Sequence, residues 1–147
     1  MRRFLILIIV GIIWFGYWVN RWGIERARNK SSFEQTHLIF SGVITKIIEI
    51  PSNHNYGILR LEILNSNVQN YDPRDSVEFY FCIIKGKSAE VYDYASPRKL
   101  GDTLNINASQ SIEWVGSKGH ARDSGSAGIN PDRGYYDYIK EHTIFKR

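Results

Sequence analysis

From Phe4 to Val19 the chain reads Phe-Leu-Ile-Leu-Ile-Ile-Val-Gly-Ile-Ile-Trp-Phe-Gly-Tyr-Trp-Val, sixteen residues without a charged side chain. Few environments accept such a run. As a helix rising about 1.5 Å per residue it covers roughly 24 Å, somewhat less than the ~30 Å of a bilayer's hydrocarbon core. A helix on a soluble core keeps a polar face, and this stretch has none. A cleaved signal peptide needs small residues behind its apolar segment, whereas Trp18-Val19-Asn20-Arg21-Trp22 is bulky. No cysteine directly follows the run to carry a lipoprotein anchor. The expectation is an uncleaved transmembrane helix, a single-pass signal-anchor with the lipid bilayer as its partner. Arg3 and Arg21 snorkel outward, and Trp14, Tyr17, Trp18 and Trp22 sit in the headgroup belt.

Charge sorts the same way. The net charge is +4. Residues 1–30 hold six basic side chains against Glu25 alone, and residues 31–147 carry a balance of −1. Nucleic-acid binding draws its affinity from cations on the folded domain, so no nucleic-acid partner is expected. Basic residues flank both ends of the run, so the positive-inside rule gives no orientation. The short N-terminal tail has a signal-anchor layout, which places the domain on the extracytoplasmic side of a bacterial plasma membrane.

Beyond the anchor and its polar exit (1–30), the chain breaks into short β-type segments. Leu38–Ile50 is rich in β-branched residues, with Gly42 marking a bulge or bend. Pro51-Ser52-Asn53-His54-Asn55 is a turn. Ile58–Leu64 and Val77–Ile84 alternate apolar and polar residues, and Ala89–Tyr94, Thr103–Asn107 and Ile112–Val115 follow at turn spacing. No crossover-length helix separates them. This spacing predicts a mainly-β domain over 31–115, a small OB-like β-barrel of five Greek-key strands. Gly116–Gly128, with four glycines and no large apolar side chain, reads as a flexible Gly/Ser-rich loop extending to residue 134. Residues 135–147 return to the body as a short helix or turn and a closing strand.

Chemistry-bearing groups are sparse. The lone Cys82 sits in an apolar strand, which excludes a disulfide framework and favours a buried, inert thiol. His37, His54, His120 and His142 lie at least 17 residues apart with no ligand spacing between them, so no metal and no cofactor is expected. His120, Asp123 and Ser124 supply a triad's residue types, but all from one Gly-Ser segment without rigid support. No catalytic set is assigned. The candidate binding face is aromatic and basic: Arg60, Tyr71, Tyr80, Lys85, Tyr92 and Tyr94.

Phe40-Ser41-Gly42-Val43-Ile44, Tyr71-Asp72-Pro73-Arg74, Lys85-Gly86-Lys87-Ser88-Ala89-Glu90-Val91-Tyr92 and Leu100-Gly101-Asp102-Thr103-Leu104 stand at comparable places in a known group. Residues 4–107 resemble uncharacterised small bacterial single-span membrane proteins with an OB-like β domain. The resemblance implies the architecture and transfers no activity. The expected function is a membrane-anchored binding or interaction module whose partner is another envelope protein or a glycan. One alternative is an envelope enzyme or accessory subunit using 116–128 as a lid over His120. A second is an oligonucleotide- or oligosaccharide-binding OB-type module.

Overall fold

The computed structural model describes residues 2–51, 55–96, 98–117, 120–130 and 132–146, without the side chains of 2–7, 22, 25, 26, 29, 30, 117, 120–123 and 126. The turn expected over Ser52–His54 lies outside the described residues, as do the side chains of Arg3, Trp22 and His120.

Helix α1 (Arg2–Glu34) continues well past the exit expected near residue 30. Asn29 to Ser32 are polar but break nothing, since helix termination needs a cap rather than polarity. The cap comes later. Thr36 Oγ1 donates to Phe33 O at 2.7 Å, and His37 adopts the left-handed conformation that commonly closes a helix. Phe33 then wedges into the domain, its ring centroid 4.8 Å from that of Phe81. Glu34 accepts from Ser111 Oγ at 2.9 Å, and Asn67 Nδ2 donates to His37 O at 2.7 Å, so the helix end is stapled on two sides.

The apolar half of α1 behaves differently. Ile12, Ile13, Trp14 and Phe15 are 63–69% exposed. Four successive residues cover the whole circumference of a helix, so at Ile12–Phe15 α1 is exposed on every side. Among the described residues no helix is long and apolar enough to cross a membrane. The uncharged run fills about half of the 33-residue helix and the other half is charged; the side chains of Phe4 to Ile6, where the expected span begins, lie outside the described residues.

Eight strands follow: β1 (Ile39–Glu49), β2 (Tyr56–Ser66), β3 (Asn70–Tyr71), β4 (Cys82–Lys85), β5 (Ser88–Tyr94), β6 (Thr103–Asn107), β7 (Ile112–Ser117) and β8 (His120–Ser126). They form one antiparallel sheet in the order β3-β4-β5-β2-β1-β6-β7-β8. Its edges, β3 and β8, are not paired with one another, so the closed five-stranded OB-like barrel is corrected to an open eight-stranded sheet. The sheet nevertheless curls strongly. Two register shifts between β1 and β2, with Leu64 extra on β2 beside Ser41/Gly42 and Thr45 extra on β1 between Ile44 and Lys46, bend this central pair. At Gly42 a Cβ would stand 2.8 Å from Glu62 O, so only glycine permits that approach.

The inner face carries the main core, with Phe40, Ile44, Leu59, Ile84, Val91, Leu104, Ile106 and Val115 around Phe33 and Phe81. The outer face of β2, β4 and β5 is covered by α2 (Arg133–His142), where Ile58, Ile83 and Tyr92 meet Tyr135, Tyr136 and Ile139. Leu59 and Leu61 face inward and Ile58 and Arg60 outward, the alternation legible in the sequence.

Three segments depart from expectation. Within Gly116–Gly128 the chain is mostly strand: β7 runs to Ser117 and β8 (His120–Ser126) pairs along it, Trp114 opposite Ser124 and Glu113 opposite Gly125, while 118–119 lie outside the described residues. A polar edge strand needs backbone pairing rather than apolar alternation, and polarity protects the edge. The lid expected there is part of the sheet. Residues 77–81 are not strand; β4 starts only at Cys82. The last residues form no closing strand, being held by side chains as described below.

Candidate binding clefts

The connection between β3 and β4 shapes a cavity of about 630 Å³. Asp72 caps a 3₁₀ turn at Pro73–Asp75, and Arg74 folds back on it, Nε to Oδ1 at 2.6 Å. Lys85 Nζ approaches the other oxygen at 3.2 Å. Hydrogen bonding from Arg74 chiefly, with Lys85, holds the Asp72 carboxyl well below the usual carboxylate range. Arg74 also donates through Nη1 to Phe145 O at 2.6 Å, tying the turn to the chain's end.

After the turn, α2 meets the backbone of Tyr80. The Tyr136 hydroxyl accepts from Tyr80 N at 2.9 Å and donates to Tyr80 O. A side chain thus replaces a β-ladder here, which is why an alternating segment does not become a strand. Residues 76–80 stand as a wall with a hollow on each side.

The first hollow, about 630 Å³, lies between this wall, α1 and the start of α2. Phe33, Tyr71 and Phe79 floor it, and Arg28, Ser32 and Thr36 approach from one face of α1. Arg133 closes the far side, its Nε 3.0 Å from Glu78 Oε1. Burial, with a lesser effect of Cys82, pushes the Tyr71 phenol up to about 12, so it remains a neutral donor. The second hollow, about 410 Å³, shares Val77, Glu78 and Tyr80 and adds Arg74, Lys140, Thr143 and Lys146. Together the two linings hold five cations against Glu78.

The six residues expected to form a binding face are distributed otherwise. Arg60 donates through Nε to Glu90 Oε1 at 2.9 Å and through Nη2 to His142 O at 2.8 Å. Tyr92 is buried beneath α2 with its hydroxyl on Glu90 Oε2 at 3.1 Å. Tyr80 is buried beside it, the ring centroids 5.3 Å apart. Lys85 stands 5.6 Å over the Phe145 ring. Tyr94 is exposed and packs on Tyr56 at 4.1 Å, away from both hollows. Tyr71 and Tyr80 alone among the six line a hollow. Arg28 comes from α1, and Arg133, Lys140 and Lys146 from α2 and the chain after it, two distant stretches that no local motif joins; only the Asp72-Pro73-Arg74 turn signals an organised segment.

Among the described residues no group of three His, Cys, Asp or Glu side chains is placed to hold a metal. Burial pushes the Cys82 thiol far up, as expected for an inert residue. His120, Asp123 and Ser124 lie along one strand, whereas a triad converges from separate elements. No family model, no curated protein and no solved structure matches the chain.

Proposed function

We propose that this chain is a membrane-anchored, non-catalytic binding module. The apolar half of α1 inserts into the bilayer, and the β domain holds an anionic ligand in the hollows flanking residues 76–80. One observation carries the reading: Ile8 to Val19 present large apolar side chains, 46–69% exposed, around every side of the helix. Exposed apolar surface of that extent marks an interaction site, and an all-round distribution suits lipid better than a protein groove. The run's roughly 24 Å falls short of a full hydrocarbon core, a deficit that snorkelling Arg3 and Arg21 and a local thinning of the bilayer offset.

Membrane fractionation tests this directly. After an alkaline carbonate wash the full chain is expected to stay in the membrane pellet with Met1–Arg3 still attached. Release into the supernatant, or a product beginning near residue 20, would refute the anchor.

A further inference from the structure

The first hollow is built where a lipid headgroup would be. The apolar run ends at Val19 and its aromatic belt at Trp22. Arg28 lies six residues further along the same unbroken helix, about 9 Å beyond Trp22 at 1.5 Å per residue. The headgroup layer adds several ångströms outside the hydrocarbon on each face, and an arginine side chain spans the remainder. Ser32, one turn above Arg28, places a hydroxyl on the same side of the helix. Across the hollow stands Arg133, in the first turn of α2. Its partner Glu78 neutralises one charge, which leaves the described lining with a balance of one positive charge. The floor of Phe33, Phe79 and Tyr71 is aromatic, with a phenol that donates but does not ionise.

We infer that this hollow binds the phosphate headgroup of an anionic phospholipid drawn from the membrane that holds α1. The phosphate sits between Arg28 and Arg133, and the glycerol and upper acyl carbons lie on the aromatic floor. A volume of about 630 Å³ falls within the usual range for such a ligand, roughly 300–1,000 Å³. Binding would fix the domain close to the bilayer rather than leaving it on a swinging helix. The inference rests on the anchoring reading above, and its test separates the two.

The full-length protein is reconstituted into nanodiscs of phosphatidylcholine alone or mixed in equal parts with phosphatidylglycerol, and lipids retained on gentle release are identified by native mass spectrometry. Wild type is expected to retain phosphatidylglycerol preferentially. Arg28→Gln and Arg133→Gln should each cut that retention about fivefold, the worth of one basic residue at an anionic surface. Both side chains are exposed, so folding, followed by thermal melting, should not change. Lys87→Gln, the same charge change on a distant turn, should retain lipid as wild type does.

Failure to enter nanodiscs at all would overturn the anchor. Entry with equal retention of both lipids would overturn the headgroup site and leave the anchor standing. Displacement of phosphatidylglycerol by free glycerol phosphate at equal concentration would also overturn the lipid assignment, since the hollow would then be a site for soluble phosphate esters.

Discussion

Asp93 on β5 and Glu113 on β7 turn their carboxyls toward each other in the interior, although three strands separate β5 from β7 in the sheet. Both are buried, and Asp93 Oδ2 and Glu113 Oε2 are without a hydrogen-bond partner. Arg98, from the β5–β6 connection, pairs with Glu113 Oε1. Only a sheet curled back upon itself brings these groups together. The trio carries two acids and one base, so one retained proton makes it neutral, and two ionised carboxylates cannot comfortably share such a site.

Burial first, then the facing Glu113, raises the Asp93 pKa well above its ordinary value; Arg98 opposes this only in part. The Tyr135 phenol on α2 is the other titratable group near it, itself pushed up by burial. Between the unfolded pKa, near 4, and the raised folded one, the native state binds the extra proton, so stability falls as pH rises by up to about 1.4 kcal/mol per unit. Urea unfolding from pH 5 to pH 9 is expected to show that decline in wild type, and Asp93→Asn should flatten it. Equal slopes in both would mean that Asp93 is ionised in the fold.

Glycine is demanded at residue 57. A Cβ there would stand 2.5 Å from Ile48 O and 2.7 Å from the Ala95 Cβ. Gly57→Ala is expected to cost about 1–3 kcal/mol through overpacking. At Gly128 nothing lies within 4 Å of the same atom, so Gly128→Ala should melt within a degree or so of wild type. Thermal denaturation of the two variants side by side makes the comparison.

Glu90 latches the chain's end. Its buried carboxylate accepts from Arg60 Nε, the Tyr92 hydroxyl, Thr143 Oγ1 and Ile144 N. Removing it strands Arg60 and frees the segment after α2. Glu90→Ala should destabilise by about 3 kcal/mol or more, as breaking a buried pair does. Hydrogen exchange at Ile144 and Phe145 should rise to that of a free tail, while Ile106 on β6 stays protected until global unfolding.

The readable parts of this fold are those where side chains alone decide conformation. The Ile58–Leu64 alternation gave β2, Leu104 and Ile106 gave β6, and the uncharged run gave the free half of α1. Where the backbone was satisfied from elsewhere, pattern misled. Val77–Phe81 alternates, yet the backbone of Tyr80 bonds the Tyr136 hydroxyl instead of a strand, whereas His120–Ser126 lacks alternation yet pairs along β7. Buried Glu90 and Asp93 look like ordinary strand residues, since nothing local announces that the segment after α2 covers one and the curled sheet the other. Arg60 and Tyr92 share the outer face of the sheet, which α2 closes.

The central claim concerns where α1 resides, and its tryptophans report on that. Trp14, Trp18 and Trp22 lie on α1 and Trp114 on β7. In the Trp114→Phe variant all remaining indole emission comes from the helix. Added to vesicles whose acyl chains carry bromine, that emission is expected to fall steeply, with stronger quenching for bromines near the headgroups than for those at the bilayer centre. Emission that brominated lipid leaves unchanged would place α1 in water and contradict the account.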